Sequence, residues 1–502
     1  MRKIYFIIAI SILLMHDIAY AVDFKIKGQW QFAISSGEVN LVQKKDGKNA
    51  DAKDQFHARQ RIRLQMDAAV SEFLSGTLFF EIGNQMWGSY GSGGALGADG
   101  NVVKLRQAYL DAMLPHMDIK LRAGILNLSL PKKAGGGLVM DTLDVAGIAA
   151  SHQFNEALSA TAFWVRPFND NYTENGSACY LDNMDLFGLV LPIRMKDIEV
   201  SPWVMYGIRG KNTFPVDSNG KAKKIWNDGM PNYTLSSHPF SGTDLVGDTD
   251  KLYGNMFWAG LATSIRTFDP WNIELDFNYG YVEEMGRYST TVRGSSTERA
   301  STRREGWLAK GLIEYKADWG IPGIFGWYAS GDDGTLKNGS ERMPSIAPWA
   351  KFTSFMGSAN FYPTGFNDIG TNYQGTWGLG CQVRDISFVD DLTHVFRVAY
   401  WRGTNSTSMA KYASSRDSWN YGVDQIPNKA GIYLTTEDSL IEFNLDSYYQ
   451  MYENLKIGLE LAYIINNMSH DVWQDSDKTY FSNASMAKQD VWRVTLYFGY
   501  SF

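Results

Sequence analysis

Cysteine is almost missing from this chain, with Cys179 and Cys381 the only two in 502 residues. That excludes a disulfide-built scaffold and leaves open one bridge or two free thiols. Proline is sparse at 14 and histidine at 7. The scattered histidines form no HExxH pair, and no GxSxG is present, so the sequence offers no catalytic candidate and no metal set. Beyond the first residues, no run of 18 apolar side chains occurs, which excludes a helical membrane span. A formal charge of −7 gives no basic footprint for nucleic acid. No linker divides the chain.

What is abundant is glycine, 48 residues, and aromatic side chains, 14% of the total. Residues 1–21 have the layout of a secretory signal peptide. Arg2 and Lys3 precede an apolar stretch from Ile4 to Leu14, and Ala19, Tyr20 and Ala21 supply a small-x-small cleavage site. The mature chain is expected to begin at Val22, and 22–502 to form one domain.

From Val22 onward the pattern has period two. Phe24, Ile26, Trp30, Phe32 and Ile34 alternate with Lys25, Lys27, Gln29 and Gln31, which reads as a strand with one apolar and one wet face. The same alternation recurs near 58–70, 73–83, 103–114, 118–128, 143–151, 157–167, 184–193 and 198–209. It continues near 252–266, 271–283, 306–317, 321–330, 374–387, 393–403, 437–450, 455–466 and 488–502. Connections are short after even-numbered strands and long after odd-numbered ones. This is the signature of a transmembrane antiparallel β-barrel with short periplasmic turns and long extracellular loops. The expected fold is all-β with 18 strands, and 16 is the alternative because 143–151 and 184–193 alternate weakly. Outer-membrane lipid and lipopolysaccharide would surround it. Trp271, Trp319, Trp327 and Trp401 fall near strand ends and are expected to form interfacial girdles.

The wet faces are then lumen faces. Arg59, Arg61 and Arg63 climb one strand, and Lys120 and Arg122 follow on another. Lys104 and Arg106 would join them if a bulge shifts the phase. Glu274, Asp276, Glu442, Asp446 and Glu460 share the inward face of later strands. Opposed basic and acidic rows would set a transverse field across a water-filled pore. The segment 131–142 is a candidate pore-constricting loop, with Lys132, Lys133, Asp141 and Asp144 as its charges and Gly135 to Gly137 permitting close approach to the wall. An external flexible loop is the alternative. Asp244, Asp248, Asp250, Asp475 and Asp477 give a weak calcium signal that fits no defined loop. The glycine-rich stretch 88–100 precedes a strand, so it is no dinucleotide fingerprint.

Four blocks, AVDFKIKGQWQF (21–32), KLRQAYLDAMLP (104–115), LRAGILNLSLP (121–131) and YLDNMDLFGLVLP (180–192), together with Phe502 resemble the homotrimeric outer-membrane porins of the Desulfovibrio group. The resemblance implies a homotrimer passing small hydrophilic solutes by passive diffusion, with Tyr500 and Phe502 read by the outer-membrane assembly machinery. A channel selective for a sugar, peptide or anion is the alternative. A barrel enzyme or surface adhesin is a more distant one, and no cofactor is expected.

Overall fold

The computed structural model describes residues 22–38, 41–44, 55–89, 103–169, 183–211, 213, 235–239, 246–292, 296–355, 373–412, 433–473 and 486–502. The leader 1–21, Cys179, Asp244, Asp475, Asp477 and most of the stretch 88–100 lie outside the described residues.

Eighteen antiparallel strands form one sheet that closes on itself. In the first half they are β1 (Asp23–Glu38), β2 (Gln55–Ser71), β3 (Leu74–Met86), β4 (Val103–Met113), β5 (Ile119–Leu128), β6 (Leu143–Gln153), β7 (Ser159–Asn169), β8 (Asn183–Val190, resumed at Ile193–Met195) and β9 (Ile198–Gly210). In the second half they are β10 (Tyr253–Ile265), β11 (Trp271–Val282), β12 (Arg304–Tyr315), β13 (Ile321–Ala329), β14 (Thr376–Val389), β15 (Leu392–Gly403), β16 (Ser439–Tyr452), β17 (Leu455–Asn467) and β18 (Val491–Ser501). The two weakly alternating segments are both wall strands, so the count is 18 and not 16. β8 is interrupted at Pro192, which has no N–H for the ladder, while Leu191 still donates to Pro202 at 3.0 Å.

Two solvents explain the alternation. On β11, Leu275 and Phe277 are exposed outward, whereas Asp276 and Asn278 between them are buried inward. Outside, the sheet meets hydrocarbon, which accepts no polar side chain; inside it meets water and loops, which do. Among the described residues no helix is long and apolar enough to cross a membrane, and the crossing is made by strands.

Trp271 and Trp319 are exposed outward, as a girdle requires, but Trp327 and Trp401 are buried inside the barrel. Parity decides against the girdle reading for this pair. Trp327 lies on the same face as inward Phe325, and its ring sits 4.3 Å from that of Trp401. Cys381 is exposed and, among the described residues, free.

Closure falls on β1, which pairs with β2 on one side and β18 on the other. Gly28 donates to Phe502 at 2.8 Å and accepts from it at 3.0 Å. The Phe502 ring lies over Gly28, where an added Cβ would collide with it. Phe32 and Phe498 stack across the same seam at 4.7 Å.

At the outer end the loops pack against one another. The buried Arg304 guanidinium donates to the carbonyls of Arg342 (2.8 Å) and Ser236 (2.7 Å) and to Gln374 Oε1 (2.6 Å). One side chain thereby ties together segments from three parts of the loop layer. Asp332 does the reverse as an acceptor, taking Tyr433 Oη (2.7 Å) and Ser340 Oγ (2.6 Å) and pairing with Arg342 at 3.0 Å.

Replacing Gly28 by Val displaces the Phe502 ring from the seam. The expected cost is about 1–3 kcal/mol of barrel stability, typical of overpacking, read by urea unfolding in lipid vesicles. An unchanged midpoint would remove the seam role given to this contact.

Candidate functional site

Two loops run inward from the outer side of the barrel. The first, joining β5 to β6, is closed on itself: Leu130 N–H donates to the Met140 carbonyl at 3.0 Å. Asp141, 3% exposed, accepts from Gly137 N–H at 3.1 Å and from the Lys132 ammonium. Its tip is held by the opposite wall. The Lys133 and Ala134 amides donate to the Asp276 carboxylate of β11 at 3.1 and 2.8 Å. Lys310 of β12 pairs with the same carboxylate at 3.2 Å and also donates to the Gly136 carbonyl.

The second loop joins β13 to β14 and lies across the first. Trp349 and Ala350 pair antiparallel with Gly137 and Gly136, and Lys351 N–H donates to the Gly135 carbonyl at 2.9 Å. Gly136, at φ +84°, must be glycine, since a Cβ there would strike the Trp349 carbonyl. Phe352 then stacks on Phe325 at 4.8 Å and on Trp327 at 5.9 Å. Beyond it, Ser354 and Phe355 amides donate to Asn444 (3.3 Å) and Glu442 (2.9 Å) of β16. Arg493 of β18 donates to the Ser354 carbonyl and lies 4.9 Å from the Phe355 ring centre. The two loops together bridge the interior from the β11–β12 wall to the β16–β18 wall.

The charged residues expected to face the pore sort into two groups. Asp276, Glu442, Asp446 and Glu460 point inward but are buried, the first two being occupied by loop amides and Asp446 by Arg397 at 2.6 Å. Glu274 is half-buried and accepts from Asn272 at 3.2 Å. Much of the acidic row is therefore covered, because loop backbone needs acceptors where it crosses the wall.

The basic row has a different setting. Arg63 and Arg106 share Glu81, each at 2.8 Å, and Arg106 also pairs with Asp144. Arg122 and Lys120 share Asp111 at 2.7 and 2.9 Å. Arg61 donates to Gln31, while Arg59 Nε has no partner among the described residues. Lys133 reaches Glu199 at 2.7 Å. In the pairs of Arg63, Lys120, Arg122 and Lys132 the base stands in front and the acid behind, whereas Glu199 is more exposed than Lys133. Side-chain exposure is 27% for Arg63 against 8% for Glu81, 48% for Lys120 against 13% for Asp111, and 34% for Lys132 against 1% for Asp141. The arginine stair thus does not pair with Asp141 or Asp144, which are held by Lys132 and by Arg106, Gln107 (2.9 Å) and Asn127 (3.1 Å).

Arg106 is aimed inward by a bulge: Gln107 opposes Phe79 and Leu105 opposes Phe80, leaving Arg106 unpaired in the ladder. Glu81, Asp111 and Lys310 lie at inward parity and were legible from register alone, though sequence reading passed over them. Lys351 was not, because a long loop has no period. Tyr500 and Phe502 are exposed at the foot of β18. Asp248 lies 3.6 Å from Arg299, and among the described residues no three metal-ligating side chains come together.

Glu341 sits at the outer part of the β13–β14 loop, accepting from the Asp333 amide at 3.1 Å and Asn338 Nδ2 at 3.0 Å. Burial, reinforced by Asp332 and Asp333, pushes its pKa from 4.5 up to about 7. Across that window the folded loop holds a proton that the unfolded chain releases, so loop stability falls as pH rises from about 4.5 to 7.

No family model and no curated protein matches the chain. Solved structures do. OccK11 (OpdR) of Pseudomonas aeruginosa aligns over 95% of this chain and 96% of its own at 14% identity and a TM-score of 0.47. OccK9 (OpdG) of the same organism aligns over 96% and 98% at 14% identity and 0.49. OpdK, solved with vanillate, aligns over 95% and 98% at 10% identity and 0.45. At these values the likeness carries no argument of its own, and the fold rests on the strand pairing described above. The expected kinship with Desulfovibrio trimeric porins is corrected: the solved structures that match are Pseudomonas aeruginosa proteins, and the four sequence blocks follow from strand alternation and turns that any such barrel carries. The chain is a multi-pass β-barrel of the bacterial outer membrane.

Two outcomes follow. Asp276→Asn leaves Lys310 buried without its counter-charge and weakens the tip of the first loop. The expected loss is about 3 kcal/mol, as for other broken buried pairs, with noisier open-channel current in planar bilayers. For Glu341, protease cleavage of the outer loops should be faster at pH 8 than at pH 5, and Glu341→Gln should abolish that difference.

Proposed function

We propose that the barrel is a selective channel for small anionic solutes, and not an indifferent diffusion pore. The layering of four ion pairs supports this reading: Arg63, Lys120, Arg122 and Lys132 present their charge while their carboxylates are withdrawn into the wall. A solute sees the nearer, better hydrated charge first, and low-dielectric walls focus the field along the passage. The guanidinium of Arg63, Arg106 or Arg122 retains donors beyond those spent on its carboxylate, and a planar fork suits carboxylate or phosphate oxygens. On this reading Arg59, Arg63, Lys120 and Arg122 line the passage, while Arg61, buried and donating to Gln31, braces the wall behind them. Glu274, Asp276, Glu442, Asp446 and Glu460 shape it by holding loops and bases, and segment 131–142 constricts it.

Export fits the same picture, with residues 1–21 as a cleaved leader and Tyr500 and Phe502 as the contact for the assembly machinery. The trimer rested on the kinship now withdrawn and is no part of the proposal.

The test is the reversal potential across a potassium chloride gradient with the purified mature barrel in planar bilayers. Chloride preference is expected, and replacing Arg63, Arg106 and Arg122 together by Gln should bring it toward zero. Cation preference in the unaltered barrel would overturn the reading.

A further inference from the structure

Where the two inward loops cross, the charges do not balance. The first loop supplies Lys132 and the second Lys351, with Asp141 the carboxylate between them. Asp141 is already committed: Oδ1 takes the Lys132 ammonium and Ser129 Oγ at 3.5 Å, and Oδ2 takes the Gly137 amide. At 3% exposure it has no open face to offer a second cation. Lys351 is exposed, and no carboxylate or carbonyl accepts from its ammonium among the described residues. The other nearby lysines are accounted for, Lys133 by Glu199 and Lys310 by Asp276.

The Lys351 side chain is also positioned. Its amide is fixed to the Gly135 carbonyl at 2.9 Å. Its Cβ and Cγ lie over Gly136, 3.3 and 3.1 Å from where a Cβ on that residue would stand. The ammonium is 5.8 Å from the Trp349 ring centre, within reach of a weak cation–π attraction. Trp349 is itself pinned by pairing with Gly137. A lysine so placed loses less rotamer freedom on meeting a ligand than one on a free loop. Desolvation holds its ammonium below the ordinary lysine pKa, Asp141 opposing and Lys132 adding to the effect.

We infer that Lys351 and Lys132 form an oxyanion-binding station at the crossing of the two loops, where a carboxylate or phosphate group of a passing solute is held. The station rests on the anionic-solute reading and narrows it to one place. Lys351 supplies the free charge; Lys132, half-exposed and tethered to Asp141, supplies the second donor. Two ammonium groups against one buried carboxylate leave one positive charge for the solute to neutralise. Occupancy is transient by construction, since both cations are accessible to water and exchange their hydrogen bonds readily.

The experiment uses the full mature barrel in planar bilayers and measures block of chloride current by added succinate alongside the reversal potential. Lys351→Gln is expected to weaken succinate block at least tenfold, Lys351→Arg to retain it, and Lys337→Gln, an exposed outer-loop change, to leave it unaltered. Heat-modifiable migration on gels checks that each variant is folded. If Lys351→Gln is folded and blocks like the unaltered protein, the station is refuted even where chloride preference survives. If chloride preference is missing yet block still depends on Lys351, the station stands and the broader reading falls. Loss of block in Lys351→Arg as well would assign the effect to packing and refute the station.

Discussion

Hydrocarbon does not hydrogen-bond, and every other feature of this molecule follows from that constraint. A strand in lipid needs a neighbour on each side, so the sheet must close. Here β1 carries β2 and β18 at once, and Gly28 gives up a side chain so that Phe502 can lie across the join. Closure creates an interior, and the pleat sends alternate residues into it. Charges excluded from the outer surface thereby collect inside, where they must be hydrated, paired or covered.

The interior is resolved by a division of labour between acids and bases. Carboxylates accept, and inward loops bring unpaired amides, so Asp276 and Glu442 become the sockets into which loop backbone fits. Guanidinium and ammonium groups only donate, and their long stems let them stand out from the wall while the shorter Glu81 and Asp111 stay against it. On the proposed reading, chain length and hydrogen-bonding sense together give a passage whose walls hold both signs but show mainly one. On the β13–β15 side an aromatic packing of Phe325, Trp327, Trp401, Tyr373 and Phe352 backs the second loop.

The barrel was largely legible in the sequence because its two faces meet different solvents, and period two records that difference strand by strand. Even the conditional reading of Arg106 followed from register, requiring only the bulge that the structure contains. Legibility failed where parity and position conflicted: Trp327 and Trp401 sit near strand ends, but parity turns them inward. It failed again where a second layer covers the first. Nothing in β16 announces that Glu442 will be occupied by Phe355 from a loop almost ninety residues earlier. Lys351 was invisible for the same reason, since long loops obey no period and their contacts are set by what they fold against. Short blocks of alternating residues misled in the other direction, suggesting a kinship where shared architecture suffices.

The crossing of the two loops is made from main chain: Gly136 and Gly137 pair with Ala350 and Trp349, and Lys351 is fixed through its amide. Backbone pairing is indifferent to most side chains. The crossing can therefore keep its shape while the residues projecting from it diverge among descendants of this protein. On the proposed channel reading, a lineage could exchange one cargo for another by replacing a few loop residues, with the wall, the seam and the loop anchors inherited intact.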